Sequence, residues 1–290
     1  MFIDNFTVKI NLTMKRFYML LVCLISSGLA FSQAPLKLAN GQKIVIESST
    51  TIEASLAMGM ELNSTSTAIN ALEVKAMTDK NCNISNTMTK LKLTMNMMGQ
   101  PSLYDSENKE GNNAEMAKIF DDRLNNPVEI TIDNRTGMAV TETKTVKKKE
   151  AEETNPADDL IKMFSNNSNE AIVEGAFEII PIGKTIGDRW ADTTIAKEMK
   201  MIRTYNLKSI TGNEAVIQLE INSSSVNKLD FQEMEFEIKS ETKTKSEITT
   251  DITTGLTKQR TSSTDITGSI QMMGQDMPIS AKVNTTTIYK

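Results

Sequence analysis

Carboxylates and methionines are the side chains of this sequence that could do chemistry, because the chain has no histidine. That absence excludes Ser-His-Asp and Cys-His nucleophile pairs, His-ligated zinc and the commonest general base. Paired carboxylates could still cleave a glycosidic bond. The candidates are Asp121 with Asp122, Asp158 with Asp159, and Glu233 with Glu235 and Glu237. All fall on predicted helix surfaces, a helix start or the wet face of a strand. We therefore expect solvated surface groups and no enzyme.

Methionine is unusually frequent, with 19 residues concentrated in the segments 95–100 and 272–277. Thioethers are soft ligands that could bind Cu(I). Methionine also fills irregular apolar interiors and lines adaptable grooves, and Met95 and Met97 share strand parity with Leu91 and Leu93. We favour groove or core lining over copper and expect no cofactor. The candidate groove residues are Met95, Met97, Met272, Met273, Met277 and the sole tryptophan, Trp190.

Two Asp-x-x-Thr-Gly segments read as structural turns. They begin at Asp133 and Asp251 and end at Gly137 and Gly255. Aspartate caps the amides of a turn, and glycine supplies a positive φ. A calcium site would need further carboxylates at fixed spacing, which the sequence lacks. We therefore predict no metal at either turn.

The elements that hold these residues are strands. From Met234 to Ile252 the even positions are apolar or hydroxylated, and the odd positions from Glu233 to Glu247 are all charged. This alternation places the two sets on opposite faces of a strand. The pattern recurs along the chain and predicts a mainly β, antiparallel protein, folded as a strongly curved sheet or open barrel. Short helices are predicted near 113–124 and 157–165, and a bulge or short turn between Asn86 and Lys90.

An internal repeat divides the chain into two related β-units. Residues 72–78 align with 205–211 at an offset of 133, and residues 132–138 align with 250–256 at 118. A helix inserted in the first copy, around 106–122, accounts for the difference. We predict a first unit at 40–143, a charged linker and short helix at 144–170, and a second unit at 171–290. Two Thr-rich meanders could also resemble each other by composition alone, and that alternative stays open.

The first 32 residues have the organisation of a signal peptide. Lys15 and Arg16 precede an apolar run that ends in small residues before Gln33, and residues 1–13 look like an over-extended start. Cleavage would leave Cys82 as the sole cysteine, without an intramolecular disulfide. It would also make a chain of net charge −5 more acidic. We therefore expect export to the periplasm or outer surface, and no nucleic-acid partner.

A series of short motifs resembles one known family. The motifs are Tyr104-Asp105-Ser106, Gly187-Asp188-Arg189-Trp190, Tyr205-x-Leu207-Lys208 with Gly212, Asp251-x-x-Thr254-Gly255 and Gln275-x-Met277-Pro278. Together they resemble an uncharacterised family of secreted Bacteroidota proteins, a domain of unknown function. The resemblance would span about residues 40–290. It implies export and a β-rich fold, and it implies no activity.

These observations favour an exported, non-catalytic envelope protein that binds a lipid or another apolar or amphipathic ligand in a groove of the sheet. The competing hypothesis is a structural or interaction module that meets an envelope partner through an exposed sheet edge. Cu(I) binding through methionine ranks below both.

Overall fold

The computed structural model describes residues 35–56, 59–140, 169–196, 199–231, 234–272 and 275–290, which belong to one compact unit. The predicted signal peptide and the helix near 157–165 lie outside these residues, as does the predicted linker segment 144–170 apart from positions 169 and 170. The strands are β1 Lys43–Leu56, β2 Met60–Met77, β3 Asn81–Met97, β4 Gln100–Asp105, β5 Val128–Asp133, β6 Arg189–Ala196, β7 Met199–Thr211, β8 Glu214–Phe231, β9 Met234–Asp251, β10 Thr257–Met272 and β11 Gln275–Tyr289. The helices are α1 Ala114–Phe120 and α2 Asn169–Gly175.

All eleven strands form one antiparallel sheet. Their order is β4-β3-β2-β1-β11-β10-β9-β8-β7-β6, with β5 paired to the start of β3. The sheet is curved and does not close, so β4 and β6 are its edges. The prediction of a mainly β, antiparallel, strongly curved sheet is confirmed. Among the described residues, no helix is both long and apolar enough to cross a membrane.

Alternation along the strands separates two faces. We call the face that carries Ile46, Leu72, Ile84, Leu207 and Ile217 the inner face, since all five side chains are buried. The opposite, outer face carries the predicted charged series of β9, which is exposed at 239, 241, 243, 245 and 247. Burial of apolar side chains on the inner face supplies most of the stabilisation that a sheet of this kind needs.

A β-bulge at Thr89 explains the change of parity within β3. Ile69 pairs with Lys90 and Asn70 pairs with Met88, so Thr89 has no partner across the ladder. Its hydroxyl donates to the carbonyl of Ile69 at 3.1 Å. The extra residue moves the apolar set of β3 from even to odd positions. The bulge predicted between Asn86 and Lys90 is therefore confirmed.

The first half of the sheet contains the predicted insertion. In the second half, β9 pairs with β8 along its whole length. In the first half, β4 and β5 share the same role, pairing with opposite ends of β3, and α1 lies between them in the chain. Asn113 caps α1, because its side chain accepts hydrogen bonds from the amides of Glu115 and Met116. The helix predicted near 113–124 is thus confirmed, while the boundaries of the two units stay a prediction.

Two short chain segments, 35–38 and 176–179, cross one end of the sheet, which we call the strap end. The amide of Leu36 donates to the carbonyl of Asn134 at 2.7 Å, and that of Lys37 donates to Thr254 at 3.3 Å. The first strap therefore joins the two Asp-x-x-Thr-Gly turns. Phe177 packs on Gly137 and bridges to Leu256. The largest buried cluster lies here and includes α2, which the sequence did not predict.

Candidate ligand site at the distal end of the sheet

The end opposite the straps, where β1 meets β2, β6 meets β7 and β10 meets β11, is the distal end. Here Met95 and Met97 lie half-buried on the inner face. With Met60 they pack against a cluster of six buried side chains, Ala54, Leu56, Leu62, Ile266, Ala281 and Val283. The structure thus brings two of the predicted groove residues together, as part of a packed cluster.

The other predicted groove residues lie elsewhere. Met277 is half-buried and pairs with Ile270 between β10 and β11. Trp190 stacks on Tyr205 with ring centroids 5.1 Å apart and planes 2° from parallel. Both rings belong to a different cluster, around Leu207 and Ile217. Met273 lies outside the described residues, and Met272 is described only as the last residue of β10.

A cavity of about 650 Å³ lies at the distal end of β6 to β10. Its volume is within the range typical of small-molecule sites. None of Met95, Met97, Met277 and Trp190 lines it. The lining combines hydroxyl, charged and apolar side chains from both strand parities: Ile195, Met199, Lys200, Ser224, Ser225, Val226, Lys239, Ser240, Glu241, Thr267, Gly268 and Ser269.

Gly268 fixes the backbone of this site. A Cβ atom added there would lie 2.1 Å from the carbonyl oxygen of Lys239 and 3.1 Å from the Cα of Ser240. No other residue type could occupy this position without moving β9, because real Cβ atoms do not approach backbone so closely. A glycine inside a strand often marks a close backbone approach of this kind. Gly268 was the one signal in the sequence that could have located the cavity.

The charges of the cavity fall into a paired and an unpaired set. Lys239 contacts Glu237 at 3.0 Å, and this hydrogen bond raises the pKa of Lys239. Lys200 and Glu241 line the same cavity, and neither forms an ion pair with any residue that the structure describes. Ser224 pairs with both, so the three side chains form one row across β7, β8 and β9. The row therefore presents one free cation and one free anion, with a hydroxyl between them.

A second cavity, of about 480 Å³, shares Thr267 with the first and extends toward β1 and β2. Its wall includes Lys282, which pairs across the ladders with both Glu53 and Asp265. Charges of opposite sign on neighbouring strands attract each other, and the cation of Lys282 is therefore already opposed by two carboxylates. The lining of this second cavity therefore carries three carboxylates, Glu53, Glu61 and Asp265, around one cation.

Buried polar groups near the strap end serve the fold. Glu178, in the second strap, accepts a hydrogen bond from Arg260 at 3.0 Å. Burial raises the pKa of Glu178, and the nearby Arg260 and Arg203 oppose that rise. The two turn aspartates, Asp133 and Asp251, each accept from the following turn amides. Within the described ranges, no group of three or more His, Cys, Asp or Glu side chains could hold a metal ion.

One protein-family model matches the central part of this chain. Residues 79–257 match the model of the Family of unknown function (DUF6263), which is more than half of the sequence. The chain belongs to this family. The range that matches DUF6263 includes Lys200, Ser224 and Glu241 and ends before Gly268. No curated protein matches the chain.

Three solved structures resemble this DUF6263 protein in backbone arrangement. A structure of lipid–protein interactions in lipovitellin has 10% identity and a TM-score of 0.49 over 88% of this chain and 25% of its own. An outer membrane channel of Pseudomonas putida F1 has 11% identity and a TM-score of 0.22, over 88% and 98% of the two chains. OccK5 (OpdH) of Pseudomonas aeruginosa has 6% identity and a TM-score of 0.25, over 89% and 100%. The present chain spans about a quarter of the lipovitellin chain. With TM-scores below 0.5, these likenesses assign no ligand.

Proposed function

We propose that this protein is an exported, non-catalytic envelope protein that binds an amphipathic molecule in the distal cavity. The observation that carries the proposal is the wall of that cavity. Its apolar part includes Ile195, whose exposed fraction is 76%, and its polar part includes Lys200, Ser224 and Glu241. A site with both kinds of surface suits a ligand with an apolar body and a polar end.

The composition of the chain supports binding over catalysis. A chain without histidine has few groups that could move a proton near neutral pH. The signal-peptide pattern of residues 1–32 supports export. The predicted methionine groove takes a smaller part in this proposal, since Met95 and Met97 pack against side chains of their own sheet. Cu(I) binding by these thioethers stays a prediction, to be checked by titration against a competing chelator.

An uncharged apolar fluorophore, phenylnaphthylamine, tests the proposal on the full chain. We expect saturable binding that a lysophospholipid displaces. Ile195→Glu should weaken probe binding at least tenfold, because it places a charge in the apolar wall. Ile202→Glu is the matched control, since Ile202 is an exposed isoleucine on neighbouring β7 that does not line the cavity. Absence of saturable binding, or equal loss in both variants, would contradict the proposal.

An interaction module acting through edge strand β6 is the second candidate. Among the described residues, β6 pairs only with β7. Ile182, Ile186 and Ile195, in or just before β6, are 58%, 60% and 76% exposed. Unpaired strand edges with apolar neighbours are templates for added strands. Size-exclusion chromatography with light scattering checks this candidate, and a strict monomer with no co-purifying partner counts against it.

A further inference from the structure

The unpaired charges of the distal cavity constrain the head of its ligand. Lys200 and Glu241 occupy one cross-strand row with Ser224 between them. Neighbouring strands are about 4.8 Å apart, so the backbones that carry the two charges are roughly 10 Å apart. The third charge-bearing side chain, Lys239, is already bonded to Glu237. A ligand in this row therefore meets one free cation and one free anion.

We propose, resting on the proposed function, that the cavity binds the zwitterionic head of an amphiphile, with its phosphate on Lys200 and its primary amine on Glu241. The row fits a phosphate and an amine that are joined by a two-carbon linker. Each end of such a head would make a charge-assisted hydrogen bond of about 2.8 Å. The hydroxyl of Ser224 donates a further hydrogen bond to the phosphate.

The apolar tail of the ligand follows from the position of the head. Ile195 pairs with Lys200 across β6 and β7, so it is the residue next to the phosphate position toward the sheet edge. Val226, 37% exposed, lies two residues from Ser224 on the same side of β8. A chain attached to the phosphate passes over Ile195 and leaves at the β6 edge. A head with a single negative charge leaves Glu241 unpaired and is bound less tightly.

Calorimetry with the full chain and three probes tests the inference. The probes are lysophosphatidylethanolamine, lysophosphatidylglycerol, which lacks the amine, and glycerophosphoethanolamine, which lacks the tail. We expect the first to bind at least tenfold more tightly than either of the others. Lys200→Gln should weaken binding of both lysolipids about tenfold. Glu241→Gln should weaken only lysophosphatidylethanolamine and so remove the preference.

Matched variants exist on the same two strands. Lys208→Gln on β7 and Glu247→Gln on β9 remove exposed charges that do not line the cavity, and both should leave all affinities unchanged. The inference is overturned if the wild-type protein binds the two lysolipids with equal affinity, or if Glu241→Gln weakens binding of the two lysolipids equally. Either result leaves the proposed amphipathic function standing. If glycerophosphoethanolamine binds as tightly as lysophosphatidylethanolamine, the head assignment is supported and the amphipathic function is contradicted. If no probe binds, both fall together.

Discussion

Lys75 and Lys208 are the extra residues of two matching β-bulges. Val74 pairs with Ile84 and Ala76 with Asn83, which leaves Lys75 without a partner between β2 and β3. Leu207 pairs with Ile217 and Ser209 with Val216, which leaves Lys208 unpaired in the same way between β7 and β8. The two residues are separated by the repeat offset of 133. Similar composition would not place a bulge at equivalent positions, so this relationship supports duplication of a β-unit.

The two Asp-x-x-Thr-Gly turns should contribute equally to stability. Asp133 and Asp251 accept the same three bonds, from two backbone amides and one threonine hydroxyl. Asp133→Ala and Asp251→Ala should each lower the free energy of unfolding by about 1 to 2 kcal/mol, measured by urea denaturation. Asp79→Ala, in the turn between β2 and β3, is the control and should change it by less than about 0.5 kcal/mol. Unequal losses at the two turns would contradict their equivalence.

Gly268→Ala should damage the distal cavity. Its Cβ would collide with the carbonyl of Lys239, so β9 must move, at a cost of about 1 to 3 kcal/mol. The affinity for phenylnaphthylamine should fall together with the free energy of unfolding. Thr267→Ala, at the neighbouring exposed position, should leave the free energy of unfolding nearly unchanged. Thermal unfolding and phenylnaphthylamine titration measure the two effects. Wild-type stability in Gly268→Ala would show that the two strands are not in close contact there.

Cys82 should react only when the protein unfolds. Its side chain is fully buried, and burial raises the pKa of the thiol to about 11. In a Cys23→Ser background, alkylation at pH 8 should therefore be slow and should occur only through opening of the fold. Asn83→Cys, at the adjacent exposed position of β3, should react at once in the folded protein. Fast labelling of Cys82 without denaturant would contradict this packing.

Glu178 should make stability depend on pH. Burial raises the pKa of Glu178 above its usual range, although Arg260 and Arg203 lower it and Asp192 raises it further. The folded state then favours the protonated carboxyl. Its stabilising effect is present below the ordinary carboxyl pKa and is lost as pH rises through the raised value. The stability difference between wild type and Glu178→Gln should therefore fall as pH rises from about 4. The exposed control Glu247→Gln should show no such trend, and a rising difference would mean that the ion pair between Glu178 and Arg260 dominates.

The strands and the bulge at Thr89 were predicted well, because apolar and polar residues that alternate along a strand indicate which face of the strand is buried. The same pattern concealed the hairpin between β1 and β2. Leu56 pairs with Met60, and since opposite residues across this turn share even parity, the apolar series runs through it without a break. The cavity was not predicted for a different reason. Its wall comes from five strands and both parities, and only Gly268 among its residues departs from an ordinary strand composition.

The place of β11 in the sheet has a consequence for how the chain folds. This strand, the last in chain order, lies between β1 and β10 and so joins the ladder built from β1 to β5 with that built from β6 to β10. Thr50 and Thr285, hydrogen-bonded across this seam, are 235 residues apart. Until residues 275–289 have been synthesised, the edges of β1 and β10 that later pair with β11 have no partner strand. We expect union of the two ladders to be a late step of folding, because it joins segments that are far apart in the chain.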